Sequence, residues 1–154
     1  MNLRRIAVRI AAKDFLELCP HEFDQSSDGW RKIMGHSKQA EMIRTYLDEY
    51  SEGKTWKENV PDGKTVDPYL LWWHAGQCFA FDHKYDQAIE CMSKSKDFID
   101  SDIEWERYVD ATIAFLQNDK EIFSDLADQP NYNEETLQRL MKNWGKTYDV
   151  AYED

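Results

Sequence analysis

Apolar residues return every three to four positions along most of the chain, which is the period of a helix with one buried face. Leu3, Ile6, Ile10, Phe15 and Leu18 form the first such stripe. They predict a helix over residues 2–18, stopped at Cys19-Pro20 because the residue before proline avoids helical backbone. His21–Gly35 is mixed, with a turn-like Ser-Ser-Asp-Gly. Ser37 is placed to cap a second helix that runs to about Tyr50, with Met42, Ile43, Tyr46, Leu47 and Tyr50 on one face and Gly53 beyond its end. Residues 51–66 are rich in turn formers and read as the longest loop, with Trp56 packing back onto the body from its middle.

Helix signals sharpen after Asp67-Pro68, an N-cap followed by a first-turn proline. A helix to about Phe81, the turn Asp82-His83-Lys84 and a second helix over Tyr85–Lys96, with Ala88, Ile89 and Met92 as its stripe, make one hairpin. Ser101-Asp102-Ile103-Glu104 reads as a capping box opening a helix to about Leu116, and Asn118 with Glu121 repeats that signature before Ile122, Phe123 and Leu126. Asn133 caps a last helix over residues 133–145 carrying Leu137, Leu140, Met141 and Trp144, closed by Gly145 at the C′ position, and residues 146–154 read as a tail. The expectation is a single all-α domain over residues 1–154. It is built of antiparallel helical hairpins as a right-handed stack or a compact bundle, with N-terminal helices in 1–50 and two helix pairs in 67–128.

A shift of 34 residues brings Ala80-Phe81 onto Ala114-Phe115, Ile89 onto Phe123 and Met92 onto Leu126. The segment Trp-Trp-His-Ala-Gly-Gln-Cys-Phe-Ala-Phe-Asp-His-Lys-Tyr-Asp-Gln-Ala-Ile-Glu-Cys-Met, with Trp72, Gly76, Phe79 and Ala88, resembles a tetratricopeptide repeat. In that family the Gly and Ala are the small residues that let paired helices approach, and at this shift Asp110 stands where the second Gly would be. The likeness spans residues 68–128. Trp73–Gln77 followed by Tyr108–Leu116 also resembles a group of small bacterial proteins, a likeness that supplies no mechanism. The repeat resemblance implies that the first helix of each pair lines a binding surface. Trp73, His74 and Gln77, with Arg107 and Asp110 from the next unit, are then the candidate partner-binding residues, an aromatic anchor flanked by polar groups.

Composition narrows the function. In 154 residues the chain carries six Trp, eight Tyr and seven Phe, an aromatic load no disordered chain would hold, and three Cys without a Cys-x-x-Cys pair, which fits neither a disulfide scaffold nor a zinc ribbon. The net charge of −11 divides into +2 over residues 1–44 and −13 over residues 45–154. Such acidity disfavours nucleic acid and anionic membrane and favours a basic protein or peptide partner. Arg9 and Asp14 break the N-terminal apolar run, no stretch suits a membrane span, and the thiols are unpaired, so a cytoplasmic location is expected.

Catalytic signatures are sparse. His74 and Cys78 lie four apart on one helix, a spacing open to a nucleophile with its base or half a metal site, but no orienting carboxylate sits at a diagnostic distance in sequence. The acidic run Asp97–Asp102 lacks the glycine a calcium loop requires, and no phosphate loop, nucleophile elbow or His-Glu-x-x-His is present. No catalytic residue, metal or cofactor is therefore assigned. The leading expectation is a non-enzymatic protein–protein interaction module on a tetratricopeptide-like scaffold. The alternative is an acidic immunity or inhibitor protein that masks a basic toxin or enzyme in the cytoplasm, and a hydrolase using His74 and Cys78 is the third.

Overall fold

The computed structural model describes residues 15–33, 38–53 and 67–153, residues 50–53 by their backbone alone. All regular structure among these residues is helical, in eight α-helices and one 3₁₀ turn. They are α1 Pro20–Gln25, the 3₁₀ turn Trp30–Ile33, α2 Gln39–Gly53, α3 Pro68–Phe81, α4 Tyr85–Lys96, α5 Ile103–Leu116, α6 Lys120–Ala127, α7 Glu134–Lys142 and α8 Tyr148–Glu153. Successive helices from α2 to α8 pack on their neighbours as hairpins, and α8 turns back onto α3. Among the described residues no helix is long and apolar enough to cross a membrane.

The proline rule works at the first boundary: Cys19 is extended (φ −68°, ψ 160°), and Pro20 starts α1 rather than a loop. That short helix was not anticipated within the mixed stretch. Leu16–Leu18 form a turn, so the first helix does not reach residue 18; its body, the Ser37 cap and Trp56 lie outside the described residues. Ser51–Gly53 belong to α2 and not to the loop.

The α3–α4 pair is closed by Gly76. A Cβ there would sit 2.6 Å from Met92 Cγ and 3.0 Å from the Ala88 carbonyl oxygen, so a hydrogen at this position is what admits α4. The second hairpin repeats the first at an offset of 35 residues, one more than the sequence comparison used. His83 (φ 60°) and Asn118 (φ 58°) are the left-handed residues of the two turns, and both ends of the first helix and the start of the second recur at the same interval, while α6 ends four residues short of it. At that offset Ala111, fully buried, stands in place of Gly76, and Asp110 leaves the seam to pair with Lys96 on α4.

The capping assignments shift accordingly. Asp102, not Ser101, caps α5 by accepting from the Trp105 backbone N–H at 3.1 Å. Asp119, not Asn118, caps α6 by accepting from the Ile122 N–H at 3.1 Å. Ser101 and Asn118 each occupy the left-handed turn position just before the cap. Asn133 caps α7 as read, but the helix ends at Lys142, so Gly145 (φ 89°) lies past the C′ position. The supposed tail is α8, whose Tyr148 and Ala151 are fully buried.

One core runs through the molecule, from Phe23 and Tyr46 near the N-terminal end through Trp72, Trp73 and Met92 to Trp105, Phe115, Phe123, Leu140 and Tyr148. Helix α3 is central to it. Its two adjacent tryptophans are both buried because it has neighbours on opposite sides: Trp72 lies under the Arg44 and Lys94 cations, whereas Trp73 meets the Trp105 ring at 5.3 Å and the Tyr108 ring at 4.8 Å. A helix apolar all round is a helix buried on more than one side.

Candidate functional site

The candidate partner-binding residues separate in three dimensions. Trp73 is 4% exposed and serves the core, which removes it as a groove-lining anchor. Arg107 is directed elsewhere, donating from Nη1 to the Pro130 carbonyl at 3.0 Å. Asp110 is engaged by Lys96. His74 and Gln77 do come together, on the α3 face that looks toward the N-terminal segment and α8.

Those two line a half-enclosed cavity of about 370 Å³ with Trp30, Gln39, Cys78, Phe81, Asp149 and Glu153. Four elements build it, with Gln39 from the start of α2 beside the three that follow. Helix α3 supplies one wall through positions 74, 77, 78 and 81, which repeat at the three- and four-residue steps of one helix face. Trp30 comes from the 3₁₀ turn and is set by Gly29, where a Cβ would fall 1.8 Å from the Phe23 carbonyl oxygen, closer than any side chain can approach. The opposite rim is α8. It is pinned by Tyr148 N–H donating to the Tyr85 hydroxyl at 3.1 Å and by Asp149 accepting from His83 Nε2 at 3.0 Å.

Asp24 organises the back of the cavity and was missed in the sequence reading. Its carboxylate is buried, and Oδ1 accepts from Trp30 Nε1 and from His74 Nδ1, each at 2.9 Å, with Arg31 Nη1 3.6 Å away. Burial pushes the carboxyl pKa up, but the His74, Trp30 and Gln25 hydrogen bonds outweigh it and hold the value below the ordinary 3.8. Since a carboxylate only accepts, His74 carries its proton on Nδ1, and a neutral ring keeps Nε2 as an acceptor. Fifty residues separate Asp24 from His74; the one local signal is Trp30, a buried-type residue between Gly29 and Arg31 in an otherwise turn-like stretch.

An oriented histidine beside a cysteine invites a nucleophile reading, and the thiol argues against it. Burial pushes the Cys78 pKa up to about 12, with Asp82 adding to the rise and Arg31 opposing it, so at neutral pH the group is a thiol and not a thiolate. No hydrogen bond joins Cys78 to His74 among the described residues. Burial likewise raises the Tyr148 hydroxyl well above the usual phenol value, with the nearby Gln77 side chain opposing the rise.

A second, more open groove of about 620 Å³ runs between the end of α6 and α7, past Pro130, Leu137 and Met141, with Asp128, Glu134 and Lys142 on its edges. None of the five candidate partner-binding residues lines it. Among the described residues no group of three His, Cys, Asp or Glu side chains is gathered as a metal site. Comparison with known proteins returned no match, whether to family models, curated proteins or solved structures.

Proposed function

We propose that this chain is a non-enzymatic protein-interaction module of the cytoplasm, in which a tetratricopeptide-like hairpin scaffold presents the cavity between α3 and α8 to a basic protein or peptide. The observation that carries the reading is the cavity itself: mostly apolar walls, two carboxylates at the rim, and neither lysine nor arginine among its lining residues, on a chain of net charge −11. Apolar concavities with a few convergent polar groups are the usual form of a binding site. The protonated Cys78 thiol favours recognition over covalent catalysis. Acidity of this size favours fast, salt-sensitive encounter with a basic partner, and masking a basic toxin or enzyme would be one use of it.

The test is selection of a random displayed-peptide library on the intact protein at low salt, followed by calorimetric titration of the enriched peptides. Basic peptides binding one to one, with affinity falling as salt rises, are the expected result. Failure of any peptide to enrich above the bare support would overturn the reading.

A further inference from the structure

The cavity names a particular side chain. We propose that it is an arginine pocket, in which the guanidinium of a partner's arginine sits between Asp149 and Glu153 while its methylene stem lies against Phe81. This rests on the interaction reading above and deepens it.

Asp149 and Glu153 are four residues apart on α8, so their carboxylates stand one helical turn apart on the same side, at the mouth of the cavity. Hydrogen bonds from Thr147 and His83 hold the Asp149 carboxyl below its ordinary pKa against a slight opposing effect of burial, which keeps it charged at neutral pH. Its ring partner among the described residues, His83, is half exposed and can be displaced toward water. Glu153 takes part in no ion pair among the described residues. Two negative charges therefore face a cavity whose other polar groups are the amides of Gln39 and Gln77 and the His74 ring, groups able to accept further hydrogen bonds.

The aromatic walls select among cations. Trp30 already carries the Arg31 guanidinium, with Cζ 4.2 Å from its ring centre. Phe81 is the ring left for a ligand: it is 36% exposed and braced from behind by Tyr148 and Tyr152 at 5.3 and 5.4 Å. A planar, weakly hydrated guanidinium stacks on an aromatic face and can bridge two acceptors at once, whereas a lysine ammonium is a strongly hydrated point charge that does neither as well. The volume of about 370 Å³ admits one long side chain with room for a flanking residue.

The experiment uses the intact chain, ¹⁵N-labelled, titrated with acetyl-Gly-Arg-Gly-amide and with its citrulline and lysine counterparts. Saturable shifts of the Trp30 indole and Gln77 signals are expected with the arginine peptide, at least tenfold weaker binding with citrulline, and several-fold weaker binding with lysine. Glu153→Gln, on an exposed face where folding is untouched, should weaken the arginine peptide about threefold to fivefold; Gln77→Trp, which fills the cavity, should abolish the shifts. Equal binding of citrulline or lysine, or no effect of Glu153→Gln, overturns the arginine assignment. If displayed peptides enrich but lack arginine, the pocket assignment fails while the interaction reading stands; if none enrich and no tripeptide shifts a signal, both fail.

Discussion

Asp24→Ala should be among the most damaging single changes near the cavity. The carboxylate is fully buried, and its Oδ1 accepts from Trp30 Nε1 and His74 Nδ1 at 2.9 Å. Truncation leaves the indole N–H of a buried tryptophan without an acceptor, a cost of about 1–3 kcal/mol. It also strips the acceptor from His74 Nδ1 and the countercharge from Arg31. Removing one member of a fully buried pair costs about 3–5 kcal/mol, but these side chains keep 21% and 30% exposure and rehydrate, so a fraction of that applies. The expected total is about 3 kcal/mol, against about 1–2 kcal/mol for Asp24→Asn, which keeps an oxygen for Trp30.

Equilibrium unfolding in guanidinium chloride, followed by far-UV circular dichroism, reads both values. The pH dependence supplies an independent check. A carboxyl whose folded pKa is depressed stabilises the fold above its unfolded pKa, near 3.8, and loses that contribution as pH falls through the folded value. The stability gap between wild type and Asp24→Asn should therefore be full above about pH 5 and narrow below about pH 4. An Asp24→Ala loss under about 1 kcal/mol, or a gap that does not change with acidification, would refute the picture of a buried carboxylate holding this wall.

Three further outcomes are expected. Gly29→Ala forces a methyl into the Phe23 carbonyl 1.8 Å away and should cost about 2–3 kcal/mol by thermal or chemical unfolding, although alanine normally stabilises a chain relative to glycine. Cys78, with its pKa near 12, should react with iodoacetamide at neutral pH far more slowly in the native protein than in the unfolded chain, by mass spectrometry of the labelled peptide; equal rates would restore the nucleophile reading. Ser101→Gly should raise stability by about 0.5–1 kcal/mol, because Ser101 holds φ 54° in the turn before α5 and glycine adopts that conformation without strain.

Periodicity reached the elements that bury one stripe, and local rules reached their boundaries. The α3–α4 hairpin was legible from Asp67-Pro68 and the three-residue turn, and the Ile43, Tyr46 and Leu47 face of α2 from spacing alone. Caps were harder. In Ser101-Asp102 and Asn118-Asp119 two adjacent residues both suit a cap, and the choice follows from which one takes the left-handed turn, a conformation imposed by the hairpin and not by either side chain. The same displacement of one residue hid the 35-residue offset and put Asp110 in a seam it never enters. Helix α8 escaped because six residues hold too little pattern to reveal a period; its helicity comes from burying Tyr148 and Ala151 against the core.

Composition and spacing by themselves determined that this chain is all-helical, acidic, rich in buried aromatics and built on hairpins, since these follow from nearest-neighbour geometry along the chain. They also set His74 and Cys78 one turn apart on one helix, but the face shared by Trp73 and Gln77 is divided, Trp73 turning into the core and Gln77 to the cavity. Only the tertiary structure decided which tryptophan faced what, because α3 is covered from both sides, and only it joined Asp24 and Trp30 to His74 and set Asp149 and Glu153 across from them. The Asp24–His74 contact spans 50 residues of chain, and no local period encodes a distance that depends on how helices pack.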